Sequence, residues 1–281
     1  MDELFSLAGR IALVTGGSRG LGKMIAAGFL ARGARVYIAG RSPEILAEAA
    51  ADLSSNGECI AVPLDVTSAE DRQKLTQKLK EREGCLDVLV NNAAVGTRGS
   101  FDSFTEEAWD DDMDTNVKAP FFLTQALAGL LRASVARSER PAKVINIASI
   151  DGIGLNLGPT FAYQVSKAAL VHLTRCLAAR LVQENILVTG IAPGAFASDM
   201  NVAARDRPKD FGRIVPAGRI GTSEDIAGAA VFLASRAGDY VVGDTLCLDG
   251  GFVRARATHG PPTNTNLQAD GDKQSQATYE I

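Results

Sequence analysis

Histidine, cysteine and tryptophan are scarce in this chain of 281 residues, which holds two, four and one of them. The cysteines, Cys59, Cys85, Cys176 and Cys247, lie far apart, and no C-x-x-C pair occurs among them. Metal centres and disulfide frameworks need clustered cysteine or histidine ligands, so we expect neither. We expect instead four reduced, mostly buried thiols in a reducing compartment.

Excess charge of one sign and long apolar runs are also lacking. The net charge is −4 and no Lys/Arg block stands out, which disfavours nucleic acid because phosphate binding needs a basic surface. No continuous apolar run approaches the about 20 residues that span a bilayer. Residues 1–5 lack the basic and apolar segments of a secretory signal. These absences predict a cytoplasmic protein with no nucleic-acid or membrane partner.

Seven short apolar runs alternate with segments of helical character. The runs are residues 10–15, 35–39, 59–62, 86–90, 143–148, 186–192 and 245–248. They are almost continuously apolar, as strands buried on both faces of a parallel sheet must be. Capping residues followed by acidic residues mark helix starts at Ser42, Ser68, Thr105 and Thr222. The alternation predicts the α/β class: a single Rossmann-type, doubly wound parallel sheet of about seven strands with helices on both faces.

Composition changes near residue 254. Residues 1–253 show no internal shift and are predicted to form one domain, whereas residues 254–281 are rich in Thr, Asn, Gln, Asp, Gly and Pro. Such a segment buries too little apolar surface to offset its ordering entropy, which predicts a disordered polar tail. The alternative is that the tail becomes ordered across a subunit interface.

The first apolar run leads into a glycine-rich turn at residues 15–22, Thr-Gly-Gly-Ser-Arg-Gly-Leu-Gly. Its spacing is not G-x-G-x-x-G, but glycines still allow a tight turn and the approach of a pyrophosphate to a helix N-terminus. A glycine-rich turn alone is a weak signal, since many turns use glycine only for its backbone freedom. Its place between the first strand and first helix favours dinucleotide binding. The expected contacts are Gly16, Ser18, Arg19, Gly20, Leu21 and Gly22.

The end of the second strand distinguishes NAD from NADP. An NAD site carries an acidic residue there, about 20 positions after the turn, but residues 39–42 read Ala-Gly-Arg-Ser. Arg41 and Arg19 suit a 2′-phosphate through charge-assisted hydrogen bonds; alternatively, both are solvated surface arginines. We expect the cofactor to be NADP(H), with further contacts at Ser42, Asp65 and Val66 and with Asp65 near the adenine.

Polar and small residues follow the next strands. Asn92, Ala93 and Ala94 come after the fourth strand, and Ser149 ends the fifth. Tyr163 and Lys167 are four residues apart and share one face of a predicted helix. Carboxyl ends of strands in an open α/β sheet line the binding crevice, so these residues are expected to meet there. Taken alone, Tyr-x-x-x-Lys also fits an amphipathic helix with a snorkelling lysine.

Together these motifs resemble the short-chain dehydrogenase/reductase family, over residues 7 to about 253. The resemblance includes the glycine turn, the Asn-Asn-Ala-Ala segment at 91–94, and the residues Asn116, Ser149, Tyr163 and Lys167. It continues through Pro193-Gly194 and the Asp-Gly-Gly stretch at 249–251. Residues 140–147 and 191–194, with the long 150–162 segment, look most similar to rhamnolipid-type 3-oxoacyl-thioester reductases.

The resemblance implies roles for these residues. Tyr163 would exchange a proton with the substrate oxygen, Ser149 would orient that oxygen, and Lys167 would favour the phenolate and hold the nicotinamide ribose. Asn116 would support a water that links the lysine to solvent. Further cofactor contacts are implied at Asn92, Ala93, Ala94, Pro193, Gly194 and Ser198.

The family also implies an NADP-dependent ketoreductase that forms a homotetramer or homodimer through the helices beginning near residues 105 and 161. Residues 195–221 predict an apolar lid with interspersed basic residues, which favours a medium-sized substrate. The candidates are a carrier- or CoA-linked acyl thioester and a polyketide or alkaloid ketone. Asp151 is either a contact for a basic or hydroxylated substrate or a turn residue bonded to its own backbone. The alternative to an enzyme is a non-catalytic dinucleotide-binding sensor or scaffold.

Overall fold

A seven-stranded parallel sheet forms the centre of the protein. The structure is a computed structural model that describes residues 3–138, 140–198 and 201–255. The strands are β1 (Ile11–Thr15), β2 (Arg35–Gly40), β3 (Cys59–Pro63), β4 (Val88–Asn91), β5 (Ala142–Ile147), β6 (Ile186–Pro193) and β7 (Thr245–Leu248). Their order is β3-β2-β1-β4-β5-β6-β7, and every neighbouring pair is parallel. The predicted doubly wound sheet is confirmed, and its crevice lies where β1 meets β4.

Helices cover both faces of this sheet. They are α1 (Gly20–Ala31), α2 (Pro43–Leu53), α3 (Ala69–Arg82), α4 (Glu106–Met113), α5 (Ala119–Ser138), α6 (Phe161–Leu181), α7 (Val202–Asp206), α8 (Pro208–Ile214) and α9 (Ser223–Ala234). One apolar core joins the sheet to α1, α2 and α9, and a second joins it to α3, α5 and α6. Alternate residues of β1 supply the two cores, Val14 to the first and Leu13 to the second. Burial on both faces explains the unbroken apolar runs of the sequence.

The predicted helix starts hold, with one difference. Ser68, Thr105 and Thr222 are N-caps whose side chains accept a hydrogen bond from the first turn. Ser42 is the N-cap of α2 by position, but its side chain makes no capping bond. Its hydroxyl donates instead to Glu44 Oε2 at 3.1 Å.

A π-helical turn, Asp114–Lys118, joins α4 to α5 into one continuous helix. This helix, Glu106–Ser138, is long and apolar enough to span a membrane by composition, with mean hydropathy 1.2 in its most apolar window. Half of that window is buried inside the fold, where Leu123, Leu127 and Leu131 belong to the second core. The helix therefore has the character of a core helix.

The composition led to expectations about the cysteines and about the C-terminal tail. All four cysteines are free, but only Cys85 is buried, and Cys176 is exposed, so the expectation of mostly buried thiols was wrong. Residues 256–281, and with them nearly all of the predicted tail, lie outside the described residues. Within the described ranges, no group of three or more His, Cys, Asp or Glu is placed to hold a metal ion.

Buried charges tie the amino ends of the strands together. Asp87, which immediately precedes β4, is fully buried. Its carboxylate accepts the backbone N–H of Ile11 at 2.7 Å and the guanidinium of Arg137 at 2.9 Å. It also accepts the hydroxyl of Ser134 and lies 3.3 Å from buried Arg10. This ion cluster lies at the amino ends of the strands, whereas the crevice lies at their carboxyl ends.

Candidate active site

The glycine turn between β1 and α1 requires its glycines. Gly16 and Gly20 have φ values of +61° and +53°, which disfavour residues with a side chain. A Cβ at Gly22 would lie 2.2 Å from the carbonyl oxygen of Gly16, so no side chain fits there. The backbone thus presents a bare surface at the start of α1.

The segment after β4 is fixed against this turn. Thr15 Oγ1 accepts the backbone N–H groups of Asn92 and Ala93 at 2.9 and 3.0 Å. Asn92 Nδ2 donates to the carbonyl oxygens of Thr15 and Gly16 at 2.8 and 3.2 Å. The predicted cofactor residues of the two strands are therefore brought together.

These surfaces fit an anionic dinucleotide. The N-cap of α1, Arg19, makes no side-chain capping bond, which leaves the amides of the first turn without a capping acceptor and suits a pyrophosphate. Gly16 N–H donates to Ala39 O at 2.7 Å, so the turn adjoins the end of β2, where exposed Arg41 follows. Contact of Arg19 and Arg41 with a 2′-phosphate stays a prediction. Ser18 and Ser42 are partly exposed along the same edge.

Asp65, Val66 and Leu21 have more ordinary surroundings. Asp65 Oδ1 accepts the backbone N–H and the hydroxyl of Thr67 at 2.9 and 2.7 Å. Partial burial works against ionisation, but these bonds and the charge of Arg41 hold the pKa of Asp65 below its usual value. Val66 and Leu21 are half-buried against the two cores, and contact of any of the three with an adenine stays a prediction.

The segment after β6 closes the other side of the crevice. Pro193 ends β6, and the Gly194 backbone N–H donates to Leu248 O at 2.9 Å. A Cβ at Gly20 would lie 3.6 Å from Ser198 Cβ, so Ser198 is next to the glycine turn, and its contact with the cofactor stays a prediction. Ala94 is half-buried after β4.

Ser149, Tyr163 and Lys167 meet at the carboxyl end of β5. Lys167, on α6, is 2% exposed, and its Nζ donates to Ile147 O at 2.9 Å. Nζ also lies 5.6 Å from the centroid of the Tyr163 ring. The Ser149 side chain lies near enough to the Tyr163 hydroxyl to act against the rise in the pKa of the phenol. The spacing of four residues thus brings phenol and ammonium onto one helix face, as predicted.

Burial shifts the pKa values of both titrating groups. Burial raises the pKa of Tyr163 to about 12, the hydrogen bond from Ser149 opposes this, and the charges of Asp151 and Asp112 add to it. Burial lowers the pKa of Lys167 to about 8, and the charge of Asp112 opposes this. At neutral pH the phenol therefore holds its proton and the lysine is largely cationic.

Asn116 lies in the π-helical turn and is fully buried. Its Oδ1 accepts the Val95 backbone N–H at 3.0 Å, and its Nδ2 donates to Val95 O and to Ser166 Oγ, both at 2.9 Å. Asn116 therefore fastens the segment after β4 to α6, one residue before Lys167. Its expected support of a water stays a prediction.

Asp112, at the end of α4, is a candidate that the sequence did not reveal. It is fully buried and accepts hydrogen bonds from the backbone N–H and hydroxyl of Thr97, each at 3.2 Å. In the sequence it is one of three consecutive aspartates, a pattern typical of a solvated helix face. Its position four residues before Asn116 is the signal that could have identified it.

The Asp151 side chain does not bond to its own backbone, which was one of the two expectations for this residue. Its carboxylate accepts Asn156 Nδ2 at 3.1 Å instead of bonding to its own backbone, and its backbone N–H donates to Ser149 Oγ at 3.1 Å. Burial raises the pKa of Asp151, which the Asn156 bond and the charge of Arg98 oppose. The backbone of Asp151 is thus bonded to the Ser149 side chain, and a contact of its carboxylate with a substrate stays a prediction.

The expected lid is only partly apolar at its surface. Phe196 and Val215 are 3% and 5% exposed, so they serve the interior, whereas Val202 and Ile214 are exposed on α7 and α8. Met200 lies outside the described residues. Closure of this segment over a substrate stays a prediction.

Comparisons with known proteins agree with this geometry. The family model described as Enoyl-(Acyl carrier protein) reductase matches residues 16–253. The rhamnolipids biosynthesis 3-oxoacyl-[acyl-carrier-protein] reductase of Pseudomonas aeruginosa is 45% identical over 255 residues, 90% of this chain and 99% of that protein. Among solved structures, the Pseudomonas aeruginosa RhlG/NADP active-site complex matches with a TM-score of 0.86 at 45% identity, over 90% of this chain and 99% of that one.

A gluconate 5-dehydrogenase from Burkholderia cenocepacia, solved in complex with NADP and tartrate, matches with a TM-score of 0.80 at 34% identity. The match covers 89% of this chain and 97% of that one. Both solved relatives bind NADP at the same fold. The motifs, the geometry and these matches lead to one conclusion: the chain belongs to the short-chain dehydrogenase/reductase family.

Proposed function

We propose that this protein is an NADP(H)-dependent ketoreductase that interconverts a carbonyl group and a secondary alcohol. The observation that carries the proposal is the meeting of Ser149, Tyr163 and Lys167 at the carboxyl end of β5. The proposal agrees with the cofactor of the two solved relatives and with the carbonyl chemistry in the name of the Pseudomonas reductase. A non-catalytic sensor would not need a phenol and a buried ammonium at this position.

In the reduction, the Tyr163 hydroxyl donates its proton to the substrate oxygen. The raised pKa of Tyr163 keeps that proton available at neutral pH, and the nearby Lys167 ammonium stabilises the phenolate that remains. Ser149 Oγ donates a hydrogen bond to the same oxygen and orients it. When bound, NADPH would supply the hydride for the carbonyl carbon. In the oxidation, the proton returns to Tyr163.

We place NADPH along the glycine turn. Gly16, Gly20 and Gly22 leave room for the pyrophosphate at the start of α1. Arg19 and Arg41 would hold the 2′-phosphate by charge-assisted hydrogen bonds. Lys167 would hold the nicotinamide ribose, and Pro193-Gly194 with Ser198 would hold the carboxamide.

For the substrate we propose a medium-chain 3-oxoacyl thioester, carried on coenzyme A or a carrier protein. The support is the name of the 45% identical relative and an apolar rim beside Ser149. Leu155 and Leu157 are 85% and 80% exposed on the segment between Ser149 and Tyr163. Phe101 is 81% exposed and packs edge-on against Phe161, with centroids 6.1 Å apart. Such a rim suits an acyl chain better than a sugar.

The test is a Tyr163→Phe variant assayed with acetoacetyl-coenzyme A and longer 3-oxoacyl thioesters. We expect kcat/KM with NADPH to fall by about 10²–10⁴-fold, because the general acid is lost. NADPH binding, followed by its fluorescence, should remain within about twofold of the wild-type value, since the turn is untouched.

Tyr240→Phe is the matched control, because Tyr240 is fully exposed and should leave turnover unchanged. Undiminished turnover in Tyr163→Phe would overturn the assigned acid. Wild-type protein that reduces polyketide or alkaloid ketones, but no 3-oxoacyl thioester, would contradict the substrate alone.

A further inference from the structure

Asp112 is a buried carboxylate close to the proposed catalytic residues. It is fully buried, whereas the neighbouring carboxylates, Asp110, Asp111 and Asp114, are all at least partly exposed. Burying an ionisable group is costly unless it is hydrogen-bonded or paired. The two bonds from Thr97, at 3.2 Å, meet that need on one side.

Those bonds hold a short segment over the catalytic phenol. Thr97 is fixed by Asp112, and Val95 is fixed by Asn116 one helical turn later. Between them lies Gly96, where a Cβ would be 3.0 Å from Cδ2 of the Tyr163 ring. The segment therefore packs directly on the ring, and its position depends on the Asp112 carboxylate.

Lys167 is short of a partner for its charge. It is 2% exposed, and in the described part of the chain it forms no ion pair within 4.0 Å. Its ammonium group donates a hydrogen bond to a neutral carbonyl, that of Ile147. Asp112 is the carboxylate whose charge acts on Lys167. A buried cation with only a carbonyl acceptor needs such a countercharge to stay protonated.

We propose that Asp112 is a positioning residue of the reaction: its buried carboxylate fixes residues 95–97 over the Tyr163 ring and supplies the countercharge that keeps Lys167 protonated. The proposal rests on the proposed function, because it assigns a task at the same site. It goes beyond the serine, tyrosine, lysine and asparagine that the family resemblance implies.

The sign of the effect follows from the charges that face the pair. Asp112 on α4 raises the pKa values of both Tyr163 and Lys167, and Asp151 after β5 also raises that of Tyr163. The charge of Arg98 lowers the pKa of Asp151, and burial, with the charge of Asp111, raises the pKa of Asp112. Removing the Asp112 charge therefore lowers both pKa values. Reduction needs the phenol protonated, so the decline in rate at alkaline pH then begins at a lower pH. The two groups titrate as one coupled unit.

The experiment compares Asp112→Asn and Asp112→Ser with wild type in acetoacetyl-coenzyme A reduction across the pH range. Both variants lose the charge, and both keep an oxygen that can accept the Thr97 bonds. In the pH profile of kcat, we expect the midpoint of the alkaline limb, where kcat declines, to shift to a lower pH by about 0.5–1 unit. Thermal unfolding and NADPH fluorescence, measured alongside, report on folding and cofactor binding independently of turnover.

Asp110→Asn is the matched control: it removes an exposed charge from the same helix and should leave the limb in place. Asp112→Glu keeps the charge and should retain a limb close to that of wild type. An unchanged limb in a folded Asp112→Asn protein overturns the proposal. Failure of both charge-free variants to fold also overturns it, in favour of a purely structural carboxylate. If wild type itself reduces no ketone, the proposed function fails first.

Discussion

At the scale of a single residue, Arg41 is the proposed determinant of the preference for NADPH over NADH. It directly follows β2, where an NAD enzyme has a carboxylate, and its charge lowers the pKa of Asp65. We expect Arg41→Ala to raise KM for NADPH by about 10–100-fold through loss of a charge-assisted hydrogen bond, with little change for NADH. Steady-state kinetics with both cofactors measure the difference.

Arg32→Ala serves as its control, because Arg32 is an exposed arginine just after the other end of α1. Equal losses with NADPH and NADH would mean that Arg41 acts on a part common to both cofactors. The assignment of the 2′-phosphate would then be wrong.

Single residues also mark the limit of what sequence reasoning can reach. The spacing of Tyr163 and Lys167 and the position of Ser149 suffice to predict that these three side chains lie close together, because helix periodicity and strand ends fix them. Asp112 cannot be predicted this way. Its burial depends on Thr97, which is distant in the sequence, and on the packing of α4 against α6.

At the scale of elements, the turn between β1 and α1 gives a sharp prediction. A Cβ at Gly22 would clash with the Gly16 carbonyl, so we expect Gly22→Ala to distort the turn. The variant should lose about 1–3 kcal/mol of unfolding free energy, as overpacked sites do, and bind NADPH more than about tenfold more weakly. Urea unfolding and fluorescence titration measure these losses.

Gly129→Ala is the counterpart within α5. Its Cβ would meet nothing within 4 Å, so we expect up to about 1 kcal/mol of stabilisation from helix propensity alone. If Gly22→Ala were as well tolerated as Gly129→Ala, the close approach of turn and helix would be disproved.

The strands and helix starts were accessible from sequence because their signals are local. The apolar runs matched the strands to within about two residues, and Ser68, Thr105 and Thr222 cap helices as expected. The π-helical turn at Asp114–Lys118 was not accessible. No residue type marks it, and it depends on the anchoring of Asn116 between Val95 and Ser166.

At the scale of the whole molecule, the two edges of the sheet have separate tasks. The carboxyl ends of the strands hold Ser149, Tyr163 and Lys167, the proposed catalytic residues, whereas the amino ends hold the buried cluster around Asp87. We expect Asp87→Ala to cost about 3–5 kcal/mol of unfolding free energy, because Arg10 is then left buried without its counterion. Turnover of the folded variant should be unchanged, since its catalytic edge is intact.

Urea unfolding and initial rates, measured on the same preparation, test this separation. A variant of normal stability would show that the cluster is dispensable, and a folded variant with impaired turnover would show that the edges are coupled. The expected dimer or tetramer also belongs to this scale and stays a prediction. Trp109 on α4 and Phe161 and Val165 on α6 are partly exposed and would lie in such an interface.

The Thr15 hydroxyl has a consequence for how a ligand is received. The hydroxyl accepts hydrogen bonds from two backbone amides of the segment after β4 and donates one to Val90 O at 3.2 Å. This one hydroxyl therefore connects the end of β1 to β4 and to the segment that follows it. The entropy of ordering these segments is already spent during folding. On this side of the crevice, a dinucleotide is therefore expected to bind to a preorganised surface without a conformational change of the protein.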